Sequence, residues 1–338
     1  IESIGYFNML RNILRMNWLI LYLFGASPII GKNFLKTNNN SFKKLDKNTY
    51  FLPHATSLRM SKYGYQNVKR ASLRISTSSL STYLSDLEEA TNTVSERYKN
   101  LEESTTNYDI QINPNILQIE DEYYAIARPK SSLINSQKLS ERLKKTGVNY
   151  IELRSLDLNP FSRVGIDIET INFVELFLIY CFIKPNNQLK DYEMNLNNDS
   201  LASLEGRKSG LMLTKDDKKI LLYDWAHEIL DEIELLAEQI PNDDSQIAIK
   251  KMRERIDNPN KTLSAIMLEN ISNRNIGFEG FSNKLALSHK NYFLNKDKSK
   301  NTNWLIFEKE VKKSNDKQLK VDKSIDEPFD VFLKKKLF

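Results

Sequence analysis

The chain has 338 residues, 40% of them hydrophobic and 28% charged, which is ordinary for a globular protein and ample for a real core. Its 49 basic and 44 acidic residues leave a net charge of +5, a small excess for this length that argues against a dedicated nucleic-acid binder. The single cysteine, Cys181, excludes an internal disulfide and a cysteine-based metal cluster, and the three histidines lack zinc-motif spacing. A reducing, cytoplasmic setting is the default for such a chain.

Taken in order, the chain enters a helical pattern at once. Phe7, Leu10, Leu14, Trp18 and Leu21 are spaced for one helix face over residues 3–24. The apolar run Trp18 to Phe24 is too short to span a bilayer, and the turn Gly25-Ala26-Ser27-Pro28 closes it. Residues 33–49 are rich in Asn and Lys and predict a surface loop. Residues 51–61 predict extended chain, followed by a turn around Tyr63 to Asn67. Residues 79–98 return to helix, with Leu80, Leu84, Leu87 and Val94 as the apolar row.

Residues 116–128 alternate. Gln118, Glu120, Glu122, Tyr124 and Ile126 fall on one strand face, opposite Leu117, Ile119, Tyr123 and Ala125. Two readings stay open, a polar row facing bulk water or a polar, ligand-facing wall of a curved sheet. Ser136 to Lys145 predicts a helix leading through Gly147 into the most informative strand, Val148 to Ser162. There Tyr150, Glu152, Arg154 and Leu156 share a face, and Pro160 ends the ladder. Glu152 and Arg154 stand about 7 Å apart by strand rise. A carboxylate and an arginine on one inward face suit a metal and a phosphate.

Phe173 to Ile183 predicts a buried helix that stops before Pro185. The last third predicts helices over 216–239, over 244–271 with a break at Asp257-Asn258-Pro259-Asn260, and over 282–294. Lys296 to Asn303 and Lys312 to Lys323 predict solvated linkers or frayed ends, and Phe329 to Leu333 a short docked helix. Repeats, a P-loop and a dinucleotide fingerprint are absent from the sequence.

Several segments carry a resemblance. They are L-F-G-A-S-P at 23–28, A-T-S-L-R-M-S at 55–61 with G-Y-Q-N at 64–67, N-I-L-Q-I-E-D-E-Y-Y-A-I-A-R-P-K at 115–130, Y-I-E-L-R-S-L-D-L-N-P-F-S at 150–162 and L-E-G-R-K-S-G-L at 204–211. In order and spacing they resemble glutamate–cysteine ligase of the proteobacterial type. The resemblance implies an α+β chain built on a glutamine-synthetase-like fold, a curved antiparallel sheet surrounded by helices, with a helical C-terminal part. It implies residues 1–215 as the C-terminal portion of a catalytic domain and 216–338 as a helical region packed on it. It also implies ATP as co-substrate, Mg2+ or Mn2+ as cofactor, L-glutamate and L-cysteine as substrates, a monomer, and no membrane or nucleic-acid partner.

By the same similarity Glu152 matches a magnesium-binding glutamate, and Arg154 the arginine that steadies the transferred phosphoryl group, a role its planar fork suits. Arg59 and Tyr124 match residues that hold the cysteine carboxylate, and Tyr65 lines the same pocket. Glu120 and Glu122 share the predicted face of Tyr124 and stand as metal or supporting candidates beside a purely structural role. The family has an N-terminal section ahead of the opening helix that contributes other magnesium carboxylates, so the expectation is a partial copy, inactive alone. A related ligase with another amine acceptor and a non-catalytic remnant of the fold are the alternatives.

Overall fold

The computed structural model describes residues 2–35, 41–64, 73–104, 112–132, 138–186, 192–240, 243–274, 276–297 and 303–324, with Pro328 and Val331. Its organising element is helix α1 (Glu2–Phe24). The sequence predicts one apolar face, but the last seven residues of the helix are apolar on every side. Trp18 through Phe24 are all at most 1% exposed. Such a helix needs neighbours all round. They are supplied by α5 (Ile168–Ile183), α6 (Tyr192–Glu205), α8 (Asp243–Asp257) and the strand pair β4 (Ala127–Lys130) and β5 (Tyr150–Leu153). Trp18 packs on Trp225 of α7 (Leu222–Ala237), with ring centroids 4.7 Å apart.

Gly25 ends α1 where it touches the 55–57 segment. A Cβ there would lie 2.5 Å from the Leu21 carbonyl oxygen and 2.7 Å from the Thr56 carbonyl, so no larger residue fits without moving backbone. Thr56 N–H and Ser57 N–H both donate to the Ser203 carbonyl of α6, at 3.0 and 3.3 Å. The ends of α1 and α6 are thereby fastened to one short segment.

The chain is α+β, and its described strands pair antiparallel in small sheets. β1 (Ile29–Gly31), β2 (Lys43–Lys44) and β3 (Thr49–Phe51) form one in the order β1-β3-β2, where the sequence predicted a loop over 33–49. In the β4–β5 pair Arg128 faces Glu152 and Lys130 faces Tyr150. β6 (Met212–Lys215) and β7 (Lys218–Leu221) make a two-residue hairpin. Asp216 and Asp217 both hold positive φ, 49° and 63°. That turn replaces the first part of the helix predicted from 216, because paired left-handed residues match the twist of the strands.

Two further expectations are corrected. The strand predicted over 116–128 is a 3-10 turn at Glu120–Glu122, and β4 starts only at Ala127. Side-chain bonds hold the turn in place of a ladder. Glu122 accepts the Gln118 N–H at 2.7 Å, and Glu120 accepts the Ser140 N–H of α4 (Leu139–Thr146) at 2.9 Å. The helix predicted over 79–98 divides into α2 (Leu80–Asn92) and α3 (Glu96–Ser104), with Val94 bridging to Asn115 between them. The Thr93 hydroxyl turns back onto the Glu89 carbonyl at 2.7 Å.

Beyond α8 follow α9 (Leu263–Arg274), α10 (Gly277–Leu294) and α11 (Trp304–Ser324). α11 covers 312–323, predicted as linker; it is solvated as expected but helical. No helix among the described residues is long and apolar enough to cross a membrane. The Phe329 to Leu333 segment falls almost wholly outside the described residues, as does part of the predicted turn at 63–67.

Candidate functional site

The site grows from the exit of β5. Arg154 extends the pairing by donating its backbone N–H to the Ile126 carbonyl at 2.7 Å. Its guanidinium lies over the Tyr124 ring, 4.9 Å from the centroid, a cation–π placement that holds the planar fork in one orientation. Its Nη1 is buried with no hydrogen-bond partner among the described residues. A buried N–H left unmade costs about 1–3 kcal/mol, so this atom calls for an acceptor, and an anion serves best.

Arg59, in the 3-10 turn Leu58–Met60, lies on the other side of that exit. Its Nε donates to Asp157 Oδ1 at 2.6 Å, and its Nη2 donates to the Ser155 and Leu156 carbonyls at 3.0 and 2.8 Å. Asp157 is the knot of the region. Its other oxygen accepts the Ala26 N–H at 2.8 Å and the Ser27 hydroxyl at 2.7 Å. One carboxylate thus ties the turn after α1, the Arg59 turn and the end of β5. Sequence reasoning left Asp157 unassigned, although an acid between two leucines in the L-D-L-N-P stretch was a signal. The Tyr124 hydroxyl lies 3.5 Å from Met60 Sδ, next to Arg59, so Arg59, Tyr124 and Arg154 meet.

Glu152 stands two residues before Arg154 on β5 and is 42% exposed, with Lys130 Nζ 3.5 Å away across the strand pair. Beside it Arg128 is buried, its Nη2 donating to the Asp121 carbonyl at 3.1 Å and its Nε without a partner. Glu120 and Glu122 do not join this group. The first is turned to the start of α4, where the Ser140 hydroxyl also bonds it, and the second to the Gln118 N–H. Tyr65 lies outside the described residues.

Among the described residues no three His, Cys, Asp or Glu side chains gather to cage a metal. The donor set fits a different arrangement. Mg2+ takes hard oxygens, commonly one or two carboxylates with phosphate oxygens and water filling the rest. Glu152, an accessible carboxylate beside a guanidinium that lacks an acceptor, suits a cation shared with a bound phosphate.

Residues 1–203 match the family described as Glutamate-cysteine ligase. A glutamate–cysteine ligase from Alcanivorax borkumensis is 37% identical over 309 residues, covering 88% of this chain and 59% of the relative. One from Shewanella pealeana is 36% identical over 293 residues, covering 84% and 56%. The chain therefore spans less than two thirds of the length of these relatives. A crystal structure of glutamate–cysteine ligase from Francisella tularensis in complex with AMP superposes with a TM-score of 0.88 at 31% identity, covering 99% of this chain and 67% of that one. A bifunctional glutathione synthetase from Pasteurella multocida shares the fold, with a TM-score of 0.63 at 22% identity over 86% of this chain and 32% of that one.

Proposed function

The chain belongs to the glutamate–cysteine ligase family, and from that premise we propose that its site serves the ATP-driven joining of the γ-carboxylate of L-glutamate to the amine of L-cysteine. The carboxylate oxygen attacks the γ-phosphorus of ATP, and the bond to ADP breaks. The resulting γ-glutamyl phosphate carries a leaving group that the free carboxylate lacks. The cysteine amine attacks the acyl carbon, its nitrogen gives up a proton to the departing phosphate, the carbon–oxygen bond to that phosphate breaks, and γ-glutamylcysteine and phosphate leave, the first step of glutathione formation. Little covalent work falls to the protein, so positioning and charge neutralisation carry the rate.

The observation that carries this reading is the buried, unpartnered Nη1 of Arg154 two residues from the accessible carboxylate of Glu152. Arg154 holds the oxygens of the phosphoryl group in transfer. Glu152 offers an oxygen ligand to Mg2+ or Mn2+, which when bound neutralises phosphate charge. Arg59 and Tyr124 form the cysteine side, and the resemblance assigns Tyr65 the same role. The Arg59 Nη1 is the part of that fork left for a substrate carboxylate, since Nε and Nη2 are taken by Asp157 and the backbone. Residues 1–215, with strand β7 that completes their last hairpin, belong to the catalytic unit, and the helical region begins at Leu222.

The test is phosphate release with ATP, glutamate and a panel of amines. The 338-residue chain is assayed alone and joined to the portion of the Alcanivorax relative that the match leaves out. Cysteine-dependent release that Arg154→Met abolishes is the expected result. Release that is indifferent to cysteine, or unchanged by Arg154→Met, refutes the reading.

A further inference from the structure

Helix α1 carries asparagines toward both neighbouring helices. On the α5 side they are fully used. Asn8 and Asn12 donate to the Lys184 carbonyl at 2.9 and 2.6 Å, and their oxygens accept the Asn186 N–H at 3.0 Å and the Asn186 side-chain amide at 2.9 Å. On the α6 side, Asn17 Nδ2 donates to Asp199 Oδ2 at 2.8 Å. Asn17 is 0% and Asp199 8% exposed. The remaining oxygen of each, Asn17 Oδ1 and Asp199 Oδ1, is buried without a hydrogen-bond partner among the described residues.

An ionised carboxylate only accepts, so it cannot satisfy a second acceptor oxygen on the amide it already touches. A carboxylic acid can. One proton supplies the donor that both orphaned oxygens lack. We infer that Asp199 keeps its proton in the folded protein at neutral pH, its O–H donating to Asn17 so that acid and amide close a two-bond ring between α1 and α6.

The surroundings agree. Burial pushes the Asp199 carboxyl up to about 8, against the lowering effect of its bond from Asn17. Charged groups of the elements around it pair elsewhere, Arg59 of the 3-10 turn that packs on α6 with Asp157. On α1, Arg11 bonds the Asn186 and Thr77 carbonyls and Arg15 pairs with Asp216. On α6, Glu193 pairs with Arg74 and Glu205 with Lys208. On the β6–β7 hairpin, Lys215 pairs with Glu228 and Lys219 bonds the Thr214 hydroxyl.

The folded pKa is raised above the ordinary value of 3.8, so between the two values the folded state holds a proton that the unfolded chain has released. The contribution is fully present below the ordinary value. It declines as pH rises, and the loss is complete once pH passes about 8. The consequence reaches the candidate site. Ser203, one turn beyond Asp199 on α6, bonds Thr56 and Ser57 just ahead of Arg59. An ionised Asp199 slackens α6 against α1 where that segment is seated.

The test is infrared spectroscopy with a pH-dependent melt. A protonated carboxylic acid has a carbonyl stretch that carboxylates lack. Wild-type protein is expected to show it at neutral pH and to lose it above about pH 8, while Asp199→Asn, which pairs amide with amide and cannot titrate, lacks it. The melting temperature of wild type is expected to fall from pH 5 to pH 9 more steeply than that of Asp199→Asn. Absence of the acid band at neutral pH overturns the inference, as does an identical pH slope in the two proteins. Should Asp199→Asn fail to fold, the wild-type spectrum from pH 5 to pH 9 decides alone.

Discussion

Asp157→Ala is expected to cost about 3 kcal/mol of stability, the sum of three lost bonds. Two of them come from the Ala26 N–H and the Ser27 hydroxyl, each contributing about 1 kcal/mol. The third is the ion pair with Arg59 Nε at 2.6 Å. Breaking a fully buried pair costs about 3–5 kcal/mol. Asp157 is 4% exposed but Arg59 is 28% exposed, so the abandoned guanidinium regains some water and the figure is discounted to about 1–2 kcal/mol. Equilibrium urea unfolding of Asp157→Ala, Arg59→Ala and the double variant closes a cycle, read as ΔΔG at a shared m-value. A coupling of about 1–2 kcal/mol is expected. A single-variant loss under about 1 kcal/mol, or additivity within about 0.5 kcal/mol, refutes the view of Asp157 as the knot of the site.

Gly25→Ala should lose about 1–3 kcal/mol in the same unfolding measurement, because its Cβ meets the Leu21 and Thr56 backbone. Trp18→Ala should lose about 3–5 kcal/mol and remove the ring that quenches or shifts Trp225 emission, read by fluorescence during unfolding. Glu120→Ala should destabilise by about 1 kcal/mol through the start of α4 and, if the proposed function holds, leave intact any phosphate release of the joined chain, whereas Glu152→Gln should leave stability within about 0.5 kcal/mol and abolish that release. At Asp167, burial raises the carboxyl, but bonds from Thr170 and the Lys251 charge outweigh it and leave the pKa lowered. Its contribution is therefore present above the ordinary carboxylate range and lost as pH falls through the lowered value. Asp167→Asn, which keeps a helix-capping side chain, should flatten the acid limb of a melting-temperature profile.

Periodicity was a sound guide where burial is one-sided or total. α1, α5 and α8 are visible in the spacing of apolar residues because packing dictates it. It misled where polar side chains bond backbone N–H groups in place of a strand ladder. Glu120 and Glu122 alternate as strand residues do, yet each carboxylate satisfies a nearby N–H, and no sequence spacing distinguishes the two outcomes. The β6–β7 turn lacks the glycine that marks most two-residue hairpins, so Asp216 and Asp217 passed as the start of a helix. Glu152 and Arg154 stood out as charges within an apolar strand. The meeting of Arg154 with Arg59, about ninety residues earlier, needed the resemblance or the coordinates, because proximity across such a distance leaves no local trace.

The encased helix at the start of the chain also bears on how the protein is made. Asn12 finds its partner at Lys184, 172 residues later, and the helix that receives Asn17 is completed only at Glu205. α8, whose Arg255 carbonyl accepts the Tyr22 hydroxyl, is completed only at Asp257, so at about 5–20 residues per second a ribosome leaves this segment without all its permanent neighbours for roughly 10–50 s. Throughout that interval the wholly apolar run Trp18 to Phe24 lacks part of the packing that buries it in the folded protein. Slowed translation ahead of residue 257 therefore favours clumping, and a chaperone that shields greasy peptides raises the yield of folded product.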